Sequence, residues 1–175
     1  MTRTRARRVR RVRRHAPPVL GASIADLGRY DHVDAVSVDL PVGIDAVEFT
    51  RLVLTGTPKW ANRLMDLRDR VVAPFGLKTR AHVRAADVRI EPGRRVGPFR
   101  LLTVAADEVL CGEDDKHLAF RVSFALRPVS CGTGLEGVCT TVVRFERPVG
   151  RRYFRAIEPF HHLIVHAMVG RAGRT

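Results

Sequence analysis

The stretch Arg151–Arg171, RRYFRAIEPFHHLIVHAMVGR, decides how the rest of the chain is read. Gly150 before it and Gly170 near its end are the punctuation expected at helix limits. Phe154, Ile157, His161, Ile164 and Met168 recur at spacings of three and four, so they share one helical face. Tyr153, Ala156, Phe160, Leu163 and Ala167 add a second apolar row, while Arg155, Glu158, His162 and His166 line the opposite side. So wide an apolar stripe must lie against a sheet or close a cavity.

The chain before that helix supplies mostly strands. His117–Leu126 alternates cleanly, with Leu118, Phe120, Val122, Phe124 and Leu126 on one face. Val138–Glu146 reads as the strand that feeds the helix. Asp31–Leu40 puts Val36, Val38 and Leu40 on one side and ends at Pro41 and Gly43. Phe99–Ala105 and Glu108–Cys111 are short strands around Ala106-Asp107, with a turn at Gly112–Asp115 and a loop over Cys131–Gly137. Ala81–Glu91 is a weaker strand candidate before the turn Glu91-Pro92-Gly93.

Two helices interrupt this series. Asp45 with Glu48 three residues on forms a capping box for a helix through Leu54, broken by Gly56. Thr57-Pro58 starts a second one, with Trp60, Leu64, Leu67 and Val71 on its stripe and a stop at Pro74 and Gly76. Trp60 reads as a core anchor. Strand, two helices, antiparallel strands and a long last helix make an α+β fold.

At 175 residues the chain is long enough for one well-packed domain. Its net charge of +13 is concentrated: eight arginines (Arg3, Arg5, Arg7, Arg8, Arg10, Arg11, Arg13 and Arg14) occupy the first fourteen residues without an acid. Such a run repels itself and stays solvated, so residues 1–20 are expected to be a disordered Arg-rich tail and linker ahead of one domain over 28–172. The readings of Arg3–Arg14 stay open: a passive extension, residues upstream of the native start, or nonspecific polyanion binding. The body has no aromatic-interleaved basic motif for reading nucleic acid. A twin-arginine export signal is not supported, because Val19–Ile24 is short and Asp26 follows. No run reaches the ~20 apolar residues of a membrane span. Cys111, Cys139 and Cys131 form no CxxC pair, which suggests a reducing cytoplasm and neither a disulfide frame nor a zinc cluster.

The order of elements resembles the helix-grip architecture of the START-like, or SRPBCC, superfamily. Pro58-Lys59-Trp60, Leu67-Arg68-Asp69, Phe75-Gly76-Leu77-Lys78, Gly97-Pro98-Phe99, Asp114–Val122 and Tyr153-Phe154 through Ile157–His161 are together similar to the bacterial domain-of-unknown-function family 2867. The resemblance covers most of residues 31–170. It implies a curved antiparallel sheet, two short helices after the first strand and a long C-terminal helix gripped by the sheet. Glu146-Arg147-Pro148 departs from the polar pair expected before the glycine. Some relatives carry a nucleotide-binding oxidoreductase domain in front; no GxGxxG follows a strand here, so any such partner would be a separate chain.

Function is read in two ways, and whether the protein is an enzyme stays open. The first is a binding module for a small apolar or amphipathic molecule between sheet and last helix, with no cofactor or metal. Its expected ligand contacts are His161, Ile157, Ile164, Phe154, Met168, Phe120, Val122, Phe124, Trp60 and Arg144. The second is an enzyme of the cyclase, dehydratase or isomerase kind, or an accessory domain beside an oxidoreductase, with His161 as base and an inward acid such as Asp34. Against both stands a plain core histidine bonded to backbone. Glu158, His162 and His166 lie at i, i+4 and i+8, too spread along one helix to meet on one ion; at most a pair could bind together. Asp114-Asp115 and His117 read as turn geometry and a solvated face. Arg144 needs an anionic partner if it points inward.

Overall fold

The computed structural model describes residues 12–72, 88–97, 99–129 and 134–174. The Phe75–Lys78 motif, the helix stop at Pro74 and Gly76, Pro98, Cys131, the side chain of Val71 and most of the expected 81–91 strand lie outside them. Seven strands form one antiparallel sheet in the order β1-β2-β7-β6-β5-β4-β3. They are β1 (Val12–Arg13), β2 (His32–Asp39), β3 (Arg95–Val96), β4 (Phe99–Val104), β5 (Glu108–Asp114), β6 (Leu118–Pro128) and β7 (Leu135–Phe145). Four helices are described with it: α1 (Gly21–Leu27), α2 (Ala46–Thr55), α3 (Lys59–Val72) and α4 (Pro148–Ala172). The class is α+β, as the sequence leads one to expect.

Local signals account for several elements. Asp45 caps α2, its carboxylate accepting from the Glu48 N–H at 2.7 Å, and Gly56 ends the helix. Such a cap contributes about 0.5–2 kcal/mol. The hairpin between β4 and β5 closes with Ala105 N–H on Glu108 O at 2.8 Å. Other limits move. β5 runs through Gly112 to Asp114, because those residues still pair with β6 opposite Arg121 and Ala119. β7 begins at Leu135 inside the expected loop, since β6 extends to Pro128 to meet it.

The basic N-terminal segment joins the fold from Val12 onward. Val12 and Arg13 pair with Val38 and Ser37, and Arg13 reaches Asp39 and Glu136 at 3.1 and 2.5 Å. The chain then crosses the sheet, with Ala16 packing against Ala35 and Val138 and Leu27 of α1 against Ala119 and Val142. The sequence places 12–20 in a solvated tail and finds no element at 21–27. Sparse alternation hides both, because their partners are distant strands.

The opposite face of the sheet carries the main core. Val36, Val38, Phe124, Val122, Cys139, Val109 and Leu101 meet Phe49 and Val53 of α2 and Val169 and Ala172 of α4. Phe49 stands edge-on to Phe124 at 6.2 Å between ring centroids. Gly137 makes room for it, since a Cβ there would sit 2.7 Å from the Phe49 ring.

α4 starts one turn earlier than its glycines indicate and ends later. Gly150 and Gly170 lie inside it, and Gly173 closes it. Gly150 is required by packing, not by termination: a Cβ would collide with the His117 carbonyl oxygen. The helix is also rotated about its axis from the expected setting. Gly150, Phe154, Val169 and Ala172 are its buried residues, Ile157, Ile164 and Met168 are half-buried on a flank, and Phe160 and Leu163 are exposed. The polar pair Glu158 and His162 is thereby turned partly toward the sheet.

The face of α3 is corrected in the same way. Ala61 is fully buried, whereas Trp60 is 43% exposed and Leu67 55% exposed, so Trp60 is no core anchor. Arg68 lies toward α4, its Nε donating to Tyr153 Oη at 2.6 Å with the guanidinium over the ring.

Candidate functional site

The strand register sets out the site before any side chain is considered. Asp34 pairs with Thr141, which pairs with Val122; His32 pairs with Val143, which pairs with Phe120. By alternation these two rows share the face of Val36 and Val38, under the first half of α4. Most of that face is apolar, and Asp34, with His32 and Thr141 beside it, is a carboxylate set against it.

Its carboxylate is 9% exposed and is surrounded by imidazoles. His161 Nε2 lies 2.9 Å and His32 Nε2 3.2 Å from Asp34 Oδ2, with His162 Nδ1 at 3.9 Å. Burial alone would push the Asp34 carboxyl up. The hydrogen bonds from His161 and His32 outweigh it and hold the group well below the usual carboxylate range. Asp34 is therefore ionised and accepts from both rings, which directs their second nitrogens elsewhere. Its other oxygen, Oδ1, is buried without a hydrogen-bond partner, and so is Oγ1 of the neighbouring Thr141.

Aromatic rings complete the wall. Phe154 stacks obliquely on His32 at 4.6 Å and lies 5.6 Å from Phe145 and 6.3 Å from His161. Beside them a cleft of about 210 Å³ opens to solvent, lined by Asp31, His32, Phe145, Arg151, Phe154, Arg155 and Glu158. Its lining combines aromatic rings with side chains of both charges. That differs from the apolar cavity the stripe suggests, because Phe49, Val53 and Val169 fill the centre of the helix-covered face.

The expected contact residues are thus divided. His161, Phe154, Phe120, Val122 and Ile157 gather at this end, the last joining Phe154, Leu118 and Val143 in a small cluster. Phe124 lies under α2, and Met168 packs on the main core. Ile164 is half-buried on the flank of α4, and Trp60 is exposed on α3. Arg144 is on the other face: its guanidinium donates to Leu27 O at 2.6 Å and to Glu146 at 2.5 Å. Asp114 pairs with Arg121 at 2.9 Å, away from the site. Burial pushes the Cys111 thiol up to about 12 and raises Cys139 as well, so neither is a nucleophile at neutral pH.

His32 and Thr141 are the residues that sequence reasoning misses. Asp31-His32 stands at a strand start and Thr140-Thr141 within a run of β-formers, where both types are ordinary. The available signal is Asp34 itself, a carboxylate at an inward strand position.

A seven-stranded antiparallel sheet with a long C-terminal helix over one face defines an α+β protein with a polar cluster beneath that helix. The chain belongs to the family described as Protein of unknown function (DUF2867), whose model matches residues 27–168. No curated protein and no solved structure matches it. None of the helices is long and apolar enough to cross a membrane among the described residues.

Proposed function

We propose that the protein binds a small amphipathic molecule between the sheet and the first half of α4. The observation that carries this is the pair of buried polar atoms, Asp34 Oδ1 and Thr141 Oγ1, adjacent on β2 and β7 and without protein partners. Such atoms cost about 1–3 kcal/mol each when unmatched, which a ligand donor would recover. Phe154, Phe120 and Ile157 supply apolar contact beside them, and Arg151 and Arg155 at the cleft favour an acidic group at the ligand's outer end. This reading accords with the helix-grip architecture and bacterial family that the motifs resemble. Two buried free thiols suit a cytoplasmic setting.

One contact favours a second reading, catalysis of the cyclase, dehydratase or isomerase kind. His161 is held by Asp34 through Nε2 at 2.9 Å, leaving Nδ1 as a proton acceptor oriented by an ionised carboxylate. Native mass spectrometry of the purified full chain tests the binding reading. A co-purifying organic adduct is expected on wild type and is lost in Thr141→Val, which keeps the shape and removes the hydroxyl. No adduct on wild type, or one that Thr141→Val retains, would reject it. Conversion of the adduct to a second mass by wild type and not by His161→Ala would favour the enzyme.

A further inference from the structure

Glu158 and His162 project from α4 toward the sheet one turn apart, and His32 rises from β2 to meet them. Glu158 Oε1 is 3.6 Å from His32 Nδ1 and 3.8 Å from His162 Nε2. One ligand atom from each of the three residues falls within 4.8 Å of the others. A divalent ion bound at about 2.0–2.2 Å in tetrahedral geometry needs its ligand atoms about 3.4 Å apart. Two of the spacings are already close to that. The third, between His32 and His162, lies within 4.8 Å, and a small turn of the His162 ring, 41% exposed, would shorten it.

The tautomer of His32 points the same way. Its Nε2 lies 3.2 Å from Asp34 Oδ2; with Nε2–H donating to that carboxylate, Nδ1, the nitrogen facing Glu158, carries the lone pair. A carboxylate behind a ligating histidine is the arrangement that fixes ring orientation and raises ligand basicity at metal centres. Asp34 is buried, lies 3.9 Å from His162 as well, and is braced by His161. Phe154 stacks on the His32 ring and limits its rotation.

We infer that His32 Nδ1, Glu158 Oε1 and His162 Nε2 form a binding site for a divalent first-row transition metal. Two imidazoles and one carboxylate suit Zn²⁺ in preference to Mg²⁺ or Ca²⁺, which take oxygen ligands. Three protein ligands leave a coordination position toward the cleft for water or an anionic group. The helix alone cannot build this site: His166 is too far along α4, and the third ligand comes from the strand. The inference does not rest on the binding reading above, because an ion and an organic ligand are read by separate probes.

The test is calorimetric titration of the untagged full chain with Zn²⁺ alone, in a buffer without chelating groups, supported by Co²⁺ absorption. One ion per chain is expected, with the intense visible bands of a four-coordinate Co²⁺ form. Glu158→Gln and His162→Ala should each weaken Zn²⁺ binding at least about 100-fold, and His166→Ala should change it less than twofold. His32→Ala should weaken Zn²⁺ binding to the same extent; should it fail to fold, the ¹⁵N shift of His32 Nδ1 in the wild type replaces it, and should move on Zn²⁺ addition. Absence of stoichiometric binding overturns the site. So does binding that needs His166, or a His32 ring that does not respond, since either would locate the ion on the helix surface alone.

Discussion

The two faces of the sheet are built on different chemistry. The face under α2 and α4 is apolar at its centre, where Phe49, Val38, Phe124 and Val169 are fully or almost fully buried, and polar only at the His32–Asp34 end. The face under residues 12–28 sets charged groups between two small apolar clusters, around Ala35 and around Leu27. Glu136, with its side chain 3% exposed, accepts from Arg127 at 2.9 Å and Arg13 at 2.5 Å, and also from Ser37. Arg121 joins Asp26 and Asp114, Ser123 joins Glu108, and Arg144 reaches Leu27 O. Helices close over dry contacts and leave one polar cluster exposed to a cleft. The N-terminal segment brings only the seven-residue helix α1 to this face, so ion pairs and arginine stems along the strands finish its burial. A polar cluster on the second face is therefore ordinary; the same residues on the first face stand out.

The largest effect that would sharpen this contrast is Phe49→Ala. Phe49 is fully buried against Phe124 and Gly137, and its removal should cost about 3–5 kcal/mol in denaturant unfolding. A loss under about 1 kcal/mol would mean that the helix-covered face is not the dry core.

A smaller effect belongs to the charged face. Burial raises the Glu136 carboxyl, but hydrogen bonds from Arg127 and Ser37 and the nearby Arg13 outweigh it and hold it below its ordinary value of 4.5. A depressed folded value adds stability that is present above about pH 4.5 and disappears as the pH falls through the lower folded value. Glu136→Gln should cost about 1–3 kcal/mol at pH 7. Its difference from wild type should shrink as acid is added. A difference that stays constant from pH 7 to pH 3 would remove Glu136 from the account of this face.

Trp60→Ala should have the smallest effect, below about 1 kcal/mol, because the ring is 43% exposed on α3. Unfolding that shifts by 3 kcal/mol or more would restore it to the core and reverse the assignment of the α3 face.

Much of the architecture is legible before folding. Period-two alternation in 118–126 and the Asp45 cap are local signals, read by neighbours in the chain, and β6 and α2 appear where they predict. The rotation of α4 is not local. Its residues offer apolar rows on more than half the circumference, so the sequence pattern permits several settings and the sheet selects one. Gly150 against the His117 carbonyl and Val169 and Ala172 in the core fix it. The same holds at the site. Asp34 and His161 are each readable as unusual residues on apolar faces, and their 2.9 Å contact joins positions 127 apart. His32, Thr141 and the inward turn of Glu158 and His162 have no sequence signal of their own. Strand register and helix rotation bring them together, and both are properties of packing between distant segments.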